Sequence, residues 1–287
     1  MTTFTVGQEN STAIELYYED HGSGQPVVLV AGWPLSGASW EKQTFALLAA
    51  GYRVVTYDRR GFGGSSKVAT GYDYDTLAAD LDALMTRLDL QDAVLVGFSM
   101  GTGEVVRYLA THGSSRVSKA VLIESVPPFL LKTEDNPDGV DKSVFDGIMD
   151  AIIADRPTYL TGYFEAFYNT DVLMGTRITE SAVQVSFIDA AGASGPGTYN
   201  CVSSWLEDFR DDVQKVDVPV LVIHGLEDRI LPIDVTGRKV AEGLPDARLI
   251  EIEGGPHCVI WTHGDEVNRE LVAFLAGVPA AAAAGGA

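Results

Sequence analysis

Apolar runs alternate with helical patterns along most of this chain. The runs largely lack polar alternation, which is typical of strands that are buried on both faces of a parallel sheet. Two β-rich runs, 3–6 and 13–18, come first in the chain. The other predicted strands cover 27–31, 53–57, 93–96, 120–123, 220–223 and 248–252.

Patterns with helical periodicity lie between these strands. Their alternation predicts βαβ units and an α/β fold, because consecutive parallel strands need a crossover. Right-handed crossovers put helices on both faces, so we expect a mostly parallel, eight-stranded sheet. The predicted helices of this core cover 40–50, 74–88, 101–112, 233–243 and 265–276.

The alternation stops between about residues 126 and 209, where only helical patterns occur. These patterns cover 143–154, 158–168, 179–190 and 199–206. We therefore expect a helical cap, 126–209, inserted before the strand that carries the acid described below. The core then consists of two parts, 1–125 and 210–276. The Ala/Gly-rich tail, 277–287, is expected to be disordered.

Net charge limits the possible partners. The chain has 20 Lys and Arg against 40 Asp and Glu, which gives a formal net charge of −20. Such a surface repels phosphate backbones and anionic lipid, which argues against nucleic-acid and membrane partners. No signal segment is recognised, and no run reaches the roughly 18 apolar residues of a membrane span, so a cytoplasmic protein is expected. The two cysteines, Cys201 and Cys258, have no metal-ligand spacing, and no metal is expected.

The strongest chemical motif is Gly97-Phe98-Ser99-Met100-Gly101, a GxSxG pentapeptide between a predicted strand and a predicted helix. This context is what a nucleophile elbow requires. The turn holds the serine in strained backbone, and glycines two residues before and after it let neighbouring backbone approach. Ser99 is therefore the predicted nucleophile, which needs a base and an acid to orient that base.

The elbow also predicts the chain order of its partners, with the acid after the serine and the histidine after the acid. Glu227 and Asp228 both follow the strand 220–223, and we prefer Asp228 because it completes an HGxxD pattern. His257 follows the strand 248–252 in a glycine-rich loop and is the predicted base. The other histidines precede the acid, share its loop or begin the last helix: His21, His112, His224 and His263.

Stabilising an oxyanion needs two backbone donors near the serine. One is expected to be the N–H of Met100, directly after the nucleophile. The other is expected from the loop after strand 27–31, where Pro34 has no N–H and Trp33 is the candidate. The side chains of Trp33, Phe98 and Pro34 are predicted to line the substrate pocket.

Six segments form a specific motif set: AGWPLSG, TYDRRGFGGSS, GYDYDTLAADL, DAVLVGFSMGTGEVVRYL, PPFLLKTEDNPDGV and WTHGDEVN. The set resembles the cofactor-free bacterial haloperoxidases, perhydrolase-esterases of the α/β-hydrolase superfamily, from residue 3 to about residue 275. The resemblance implies an α/β-hydrolase fold with Ser99, Asp228 and His257 as its triad. It implies that the N–H groups of Trp33 and Met100 form the oxyanion hole, that no cofactor is needed, and that the chain forms a homotrimer.

The same resemblance implies a reaction. An ester or carboxylic acid substrate would acylate Ser99, and water or hydrogen peroxide would release the acid or a peracid. The peracid would then oxidise halide away from the site. The alternatives are a lactonase or amidase of the same superfamily, or a non-catalytic receptor or assembly scaffold, which the complete Ser–Asp–His set argues against.

The chain departs from its relatives at two positions. Ala31 stands where most carry histidine, which removes a side chain that could brace the oxyanion loop. Cys258 stands where glycine is usual, and is interpreted either as a buried, inert thiol or as a group that narrows the pocket. Asp58 is expected to pair with Arg59 or Arg60 as structural support at the edge of the site.

Overall fold

A computed structural model describes residues 2–278, so the tail expected to be disordered lies outside the described residues from position 279 on. Its strands are β1 (Thr3–Glu9), β2 (Thr12–His21), β3 (Pro26–Val30), β4 (Arg53–Tyr57), β5 (Ala93–Phe98), β6 (Val117–Ile123), β7 (Val220–Gly225) and β8 (Ala247–Ile252). They form one eight-stranded sheet in the order β1-β2-β4-β3-β5-β6-β7-β8. The pairs β1–β2 and β2–β4 are antiparallel and the others are parallel. The predicted sheet is confirmed.

The helices are α1 (Glu41–Ala49), α2 (Tyr74–Arg87), α3 (Met100–His112), α4 (Lys142–Tyr168), α5 (Thr170–Leu173), α6 (Glu180–Gly192), α7 (Gly195–Ser204), α8 (Arg210–Val213), α9 (Gly237–Gly243), α10 (Val259–Thr262) and α11 (Gly264–Leu275). Two short 3₁₀ helices, Gly37–Trp40 and Ile233–Val235, complete the set within the described residues. In the core, α1 packs on α10 and α11, whereas α2 packs on α3 and α3 on α8. Two such groups are expected when right-handed crossovers cover both faces of a parallel sheet.

Helices α4 to α8 all lie between β6 and β7. Helices α4 to α7 lie within 126–209, where the sequence predicts only helices, and α8 follows directly after this region. The sequence predicts two helices, 143–154 and 158–168, whereas the structure runs them together as α4 with a kink. Asp155 has φ −161° and ψ 87°, and its carboxylate accepts a hydrogen bond from the Thr158 N–H at 3.1 Å. This carboxylate caps the second half of α4, and Pro157 is tolerated because it lies in the first turn after the kink.

Helix α7 begins earlier than predicted. The segment from 192 to 197 reads as glycine- and proline-rich punctuation, yet α7 starts at Gly195. The Ser194 hydroxyl accepts a hydrogen bond from the Gly197 N–H at 2.9 Å, and Pro196 occupies the first turn. Both are ordinary helix-start features, so the glycines mark the beginning of a helix rather than a loop.

The parallel strands bring several loops to one edge of the sheet. Strands β3, β5, β7 and β8 run in the same direction, so the segments that follow them meet beyond their carboxyl ends. Within residues 2–278, no helix combines the length and apolar character needed to cross a bilayer.

Candidate active site

Ser99 lies at the junction between β5 and α3, with φ 52° and ψ −121°. This is left-handed backbone, which costs a non-glycine residue of order 1–3 kcal/mol and is found where surrounding packing enforces it. The packing here leaves no room for a side chain at either glycine of the motif. A Cβ on Gly97 would lie 2.6 Å from the Gly101 carbonyl oxygen, and one on Gly101 would lie 2.3 Å from that of Val30. The two glycines of the motif therefore allow α3 to start directly against β3 and β5.

The three residues predicted as nucleophile, base and acid contact one another. His257 Nε2 lies 2.9 Å from Ser99 Oγ, and His257 Nδ1 lies 2.7 Å from Asp228 Oδ2. Because a carboxylate accepts, Nδ1 is assigned the proton and Nε2 is free to accept from the hydroxyl. His257 is fully buried, and Ser99 and Asp228 are 6% and 7% exposed. The arrangement gives the hydroxyl a base with a fixed tautomer.

Asp228 is held as an anion by its surroundings. Its Oδ1 accepts hydrogen bonds from the N–H groups of Ile230 at 2.7 Å and Leu231 at 2.9 Å. Burial alone would raise the pKa of Asp228, but attraction to His257 and the hydrogen bond from it bring that pKa below its usual value. Glu227, the other acid considered, is exposed, and its hydrogen bonds to Asn169 and Gly255 are made by its backbone. Of the two neighbouring acids, Asp228 is the one beside His257.

The loop after β3 lies directly against the serine. A Cβ on Gly32 would be 3.0 Å from Ser99 Cβ, so the backbone that leads into Trp33 is adjacent to the nucleophile. The Trp33 side chain is fixed as well, since its indole N–H donates to the Thr198 carbonyl oxygen at 3.1 Å. The Tyr163 hydroxyl also donates to the Trp33 carbonyl oxygen at 3.2 Å. These bonds hold the Trp33 backbone in place, as a preorganised donor requires.

Arg59 braces the same loop from the other side. Its Nη2 donates to the Ala31 carbonyl oxygen at 2.6 Å, and its guanidinium pairs with the buried Glu104.

The predicted pairing of Asp58 with an arginine is wrong. Asp58 accepts hydrogen bonds from the N–H groups of Gly37 and Gly64, whereas Arg60 pairs with Asp80. The sequence could not identify these partners because a backbone N–H group leaves no signal in the sequence and Asp80 lies 20 positions after Arg60.

A largely apolar cavity opens onto Ser99. Its volume is about 630 Å³, counting the space open to solvent. Its walls come from the loop after β3, the segment after β6, both halves of α4, the end of α7 and the segment after β7. The lining residues are Trp33, Ser99, Val126, Leu130, Val140, Val144, Phe145, Ile148, Tyr163, Trp205, Ile230, Leu231, Pro232 and Val235. The cavity can hold a small apolar acyl group next to the serine hydroxyl.

Two of the three predicted pocket residues do not line this cavity. Trp33 does, but Phe98 and Pro34 are not among its lining residues. Phe98 is the last residue of β5, and its ring packs on Trp40 and lies 5.4 Å from the His257 ring, behind the base. Pro34 is buried in the loop. The sequence analysis did not identify most of the wall, which is formed by apolar side chains after β6. Their hydrophobic pattern predicts that they are packed in the interior but not which cavity they face.

Cys258 is a buried thiol beside the base. It is 2% exposed, and its N–H donates to the Phe167 carbonyl oxygen at 3.0 Å. Burial raises the pKa of Cys258 to about 12, so the group is a neutral thiol at physiological pH. It does not line the cavity at Ser99 but a second one, on the side of Tyr168 and Trp261. The thiol therefore does not narrow the substrate cavity.

Comparison with known proteins places this geometry in a family. The model of the alpha/beta hydrolase fold matches residues 25–264. A Synechocystis protein provisionally named a non-heme chloroperoxidase is 62% identical over 275 residues, which are 96% of this chain and all of that protein. A bifunctional esterase/perhydrolase of Acinetobacter calcoaceticus is 36% identical over 91% of this chain and 96% of its own. The crystal structure of a bromoperoxidase from Bacillus anthracis superposes with a TM-score of 0.92 at 44% identity, over 96% of this chain and 99% of that one.

Proposed function

We propose that this chain, which belongs to the alpha/beta hydrolase fold family, is a serine hydrolase that cleaves carboxylic esters and, with hydrogen peroxide, makes peracids. Its relatives support both activities, since they include non-heme chloroperoxidases and a bifunctional esterase/perhydrolase. The observation that carries the proposal is the contact of His257 with both Ser99 and Asp228, at 2.9 and 2.7 Å, at the mouth of an apolar cavity.

Acylation begins when Ser99 Oγ attacks the ester carbonyl carbon and passes its proton to His257 Nε2. Asp228 stabilises the imidazolium that forms. The N–H groups of Trp33 and Met100 donate to the oxyanion, which develops beside the first turn of α3. His257 then gives its proton to the leaving alcohol, and the acyl group stays on Ser99.

Deacylation uses the same groups with water or hydrogen peroxide as the nucleophile. His257 takes a proton from the incoming molecule, whose oxygen attacks the acyl carbon, and the proton returns to Ser99 Oγ as the ester bond breaks. Water gives a carboxylic acid and peroxide gives a peracid. A released peracid transfers its terminal oxygen to bromide, which yields hypobromite and the carboxylic acid. Halide oxidation thus needs no halide site in the protein.

Two assays test the proposal. We expect hydrolysis of p-nitrophenyl acetate that a serine-directed sulfonyl fluoride abolishes. We also expect bromination of monochlorodimedone that depends on both peroxide and acetate. Ester turnover that is insensitive to the inhibitor would contradict Ser99 as nucleophile, and bromination without any carboxylic acid would contradict the peracid route. Ester turnover also separates this function from a receptor, and a matched panel of lactones and amides separates it from those hydrolases.

Three further features belong to the proposal. We infer that residues 126–209 act as a cap over the cavity, between the core parts 1–125 and 210–276. The homotrimer and the cytoplasmic location stay predictions from the resemblance and the sequence. Analytical ultracentrifugation of the purified protein would test the homotrimer, and a monomer would contradict it.

A further inference from the structure

A second buried acid lies behind the triad. Glu124 directly follows β6, has no exposed surface and adopts φ 51°. Its Oε1 accepts a hydrogen bond from the Gly225 N–H at 2.8 Å. A carboxylate oxygen of Glu124, a ring nitrogen of His224 and a carboxylate oxygen of Asp228 all lie within 4.8 Å of one another. A non-glycine residue keeps such a positive φ only where the surrounding structure enforces it, so Glu124 is held firmly beside Asp228.

His224 provides no positive charge to these acids. Its Nε2 lies 2.8 Å from the Leu231 carbonyl oxygen, 3.0 Å from Glu124 Oε2 and 3.5 Å from Asp228 Oδ2. A carbonyl oxygen only accepts, so Nε2 carries a proton and donates it to Leu231. Burial lowers the pKa of His224, which keeps the ring neutral. The other titratable side chain near Glu124, Cys258, is a neutral thiol.

Two buried carboxyl groups this close do not both stay ionised without a cation. Asp228 accepts three hydrogen bonds, from Ile230, Leu231 and His257. Within the described residues, Glu124 accepts one, at Oε1, whereas its Oε2 accepts none and is free to carry a proton. The proton therefore lies on Glu124, whose pKa is raised well above its usual value by burial and by the charge of Asp228.

We propose that Glu124 is a positioning acid of the triad. While Asp228 is charged, Glu124 is protonated and donates its proton in a hydrogen bond to Asp228. When Asp228 is neutralised, Glu124 ionises and supplies the negative charge behind His257. The inference rests on the proposed function, because it assigns a partner to the acid of that same site. In its resting form, the Glu124 hydroxyl donates to Asp228 and limits the rotation of that carboxylate. When the charge at position 228 is removed, burial still raises the pKa of Glu124 but the repulsion from Asp228 is gone, so Glu124 releases its proton to water at a lower pH than in the wild type.

A double-mutant cycle with isosteric variants tests this role. Glu124→Gln resembles the protonated acid in shape and hydrogen bonding, so it should keep kcat/KM for p-nitrophenyl acetate within about threefold of the wild type. Asp228→Asn should retain weak activity that rises with pH as Glu124 ionises. Glu124→Gln in the Asp228→Asn background should lose a further factor of about ten or more, together with that rise. Glu124→Gln is thus expected to change kcat/KM little in the wild-type background and to lower it strongly in the Asp228→Asn background.

A merely structural role predicts a different pattern. The second substitution would then have the same effect in both backgrounds, and the pH profile of Asp228→Asn would not depend on residue 124; either result overturns the inference. Glu227→Gln is the matched control, because it removes an acid next to Asp228 in sequence but exposed to water. It should change neither background. Full turnover by Ser99→Ala would instead overturn the proposed function, so the two failures can be told apart.

Discussion

The guanidinium of Arg59 donates a hydrogen bond of 2.6 Å to the carbonyl oxygen of Ala31, two residues before the proposed oxyanion donor Trp33. The same guanidinium neutralises Glu104, which has no exposed surface. One side chain therefore balances a buried charge and fixes the loop against Ser99.

Arg59→Lys should separate these two tasks. A lysine keeps a positive charge for Glu104 but has no rigid fork to reach Ala31 as well, so kcat should fall about tenfold with little change in KM. The measurement is steady-state hydrolysis of p-nitrophenyl acetate. Arg60→Lys is the control, because Arg60 pairs with Asp80 and makes no contact with Ala31. An equal loss of kcat in both variants would show that Arg59 acts on stability alone.

Ser99→Ala should remove ester turnover and perhydrolysis together. Loss of the nucleophile costs about four orders of magnitude or more in kcat for enzymes that use a triad. The fold should be retained, because the Ser99 side chain contacts His257 and fills no core position. Circular dichroism and thermal melting check the fold, and an assay of the purified variant checks the activity. Bromination that survives this substitution would point to a different route for halide oxidation.

Both cysteines should be inert in the folded protein. Burial raises the pKa of Cys201 and of Cys258 to about 12, and neither is accessible. A thiol is unreactive until it loses its proton. Titration with Ellman's reagent at neutral pH should detect no thiol in the native state and both in denaturant. Fast labelling without denaturant, or loss of activity on labelling, would contradict the buried position of Cys258.

Trp205→Ala should widen the cavity and move the preference towards longer acyl chains. The Trp205 ring packs edge-on against Trp33, with ring centroids 5.0 Å apart, and forms part of the cavity wall. Its removal makes space beside the acyl group, so kcat/KM for a hexanoate ester should rise relative to that for acetate. Trp261→Ala, outside this cavity, is the matched control. An unchanged ratio would indicate that the acyl group lies elsewhere.

Stability should depend on pH through Glu124 in a definite direction. Its pKa is raised in the folded protein, so folding takes up a proton once the pH exceeds the usual pKa of a glutamate. This contribution lowers the free energy of unfolding as the pH rises from the unfolded towards the folded pKa. Glu124→Gln should therefore gain melting temperature relative to the wild type between about pH 5 and neutrality, and should lose this advantage near pH 4. A difference that stays constant with pH would contradict protonation of Glu124.

Local sequence signals predict which three side chains of the candidate site contact one another. Ser99 and Asp228 follow the fully buried strands β5 and β7, His257 follows the half-buried β8, and parallel strands necessarily bring such positions to one edge. The strand and the helix beside Ser99 are predicted as 93–96 and 101–112, and the structure extends both towards the serine, so that Ser99 alone separates β5 from α3. These features depend on short segments whose pattern is complete in the sequence.

Side-chain partnerships across the fold could not be predicted in this way. Arg59 finds Glu104, and Glu124 finds Asp228, over separations of 45 and 104 positions, and no periodicity encodes such pairs. Phe98 shows the same limit within the motif itself, because its ring turns away from the cavity and packs behind His257. A glutamate directly after a buried strand was a signal for Glu124, but only the packed structure shows what it faces.

The cavity walls and the reacting groups come from different parts of the chain. Most of the wall belongs to the helices and loops between β6 and β7, whereas Ser99, Asp228 and His257 are set by strand ends. Substrate range and bond-breaking chemistry can therefore diverge separately. Libraries confined to the wall positions between 126 and 205, with Tyr163 kept because its hydroxyl holds the Trp33 backbone, can explore new acyl groups while the machinery that activates the serine is inherited intact.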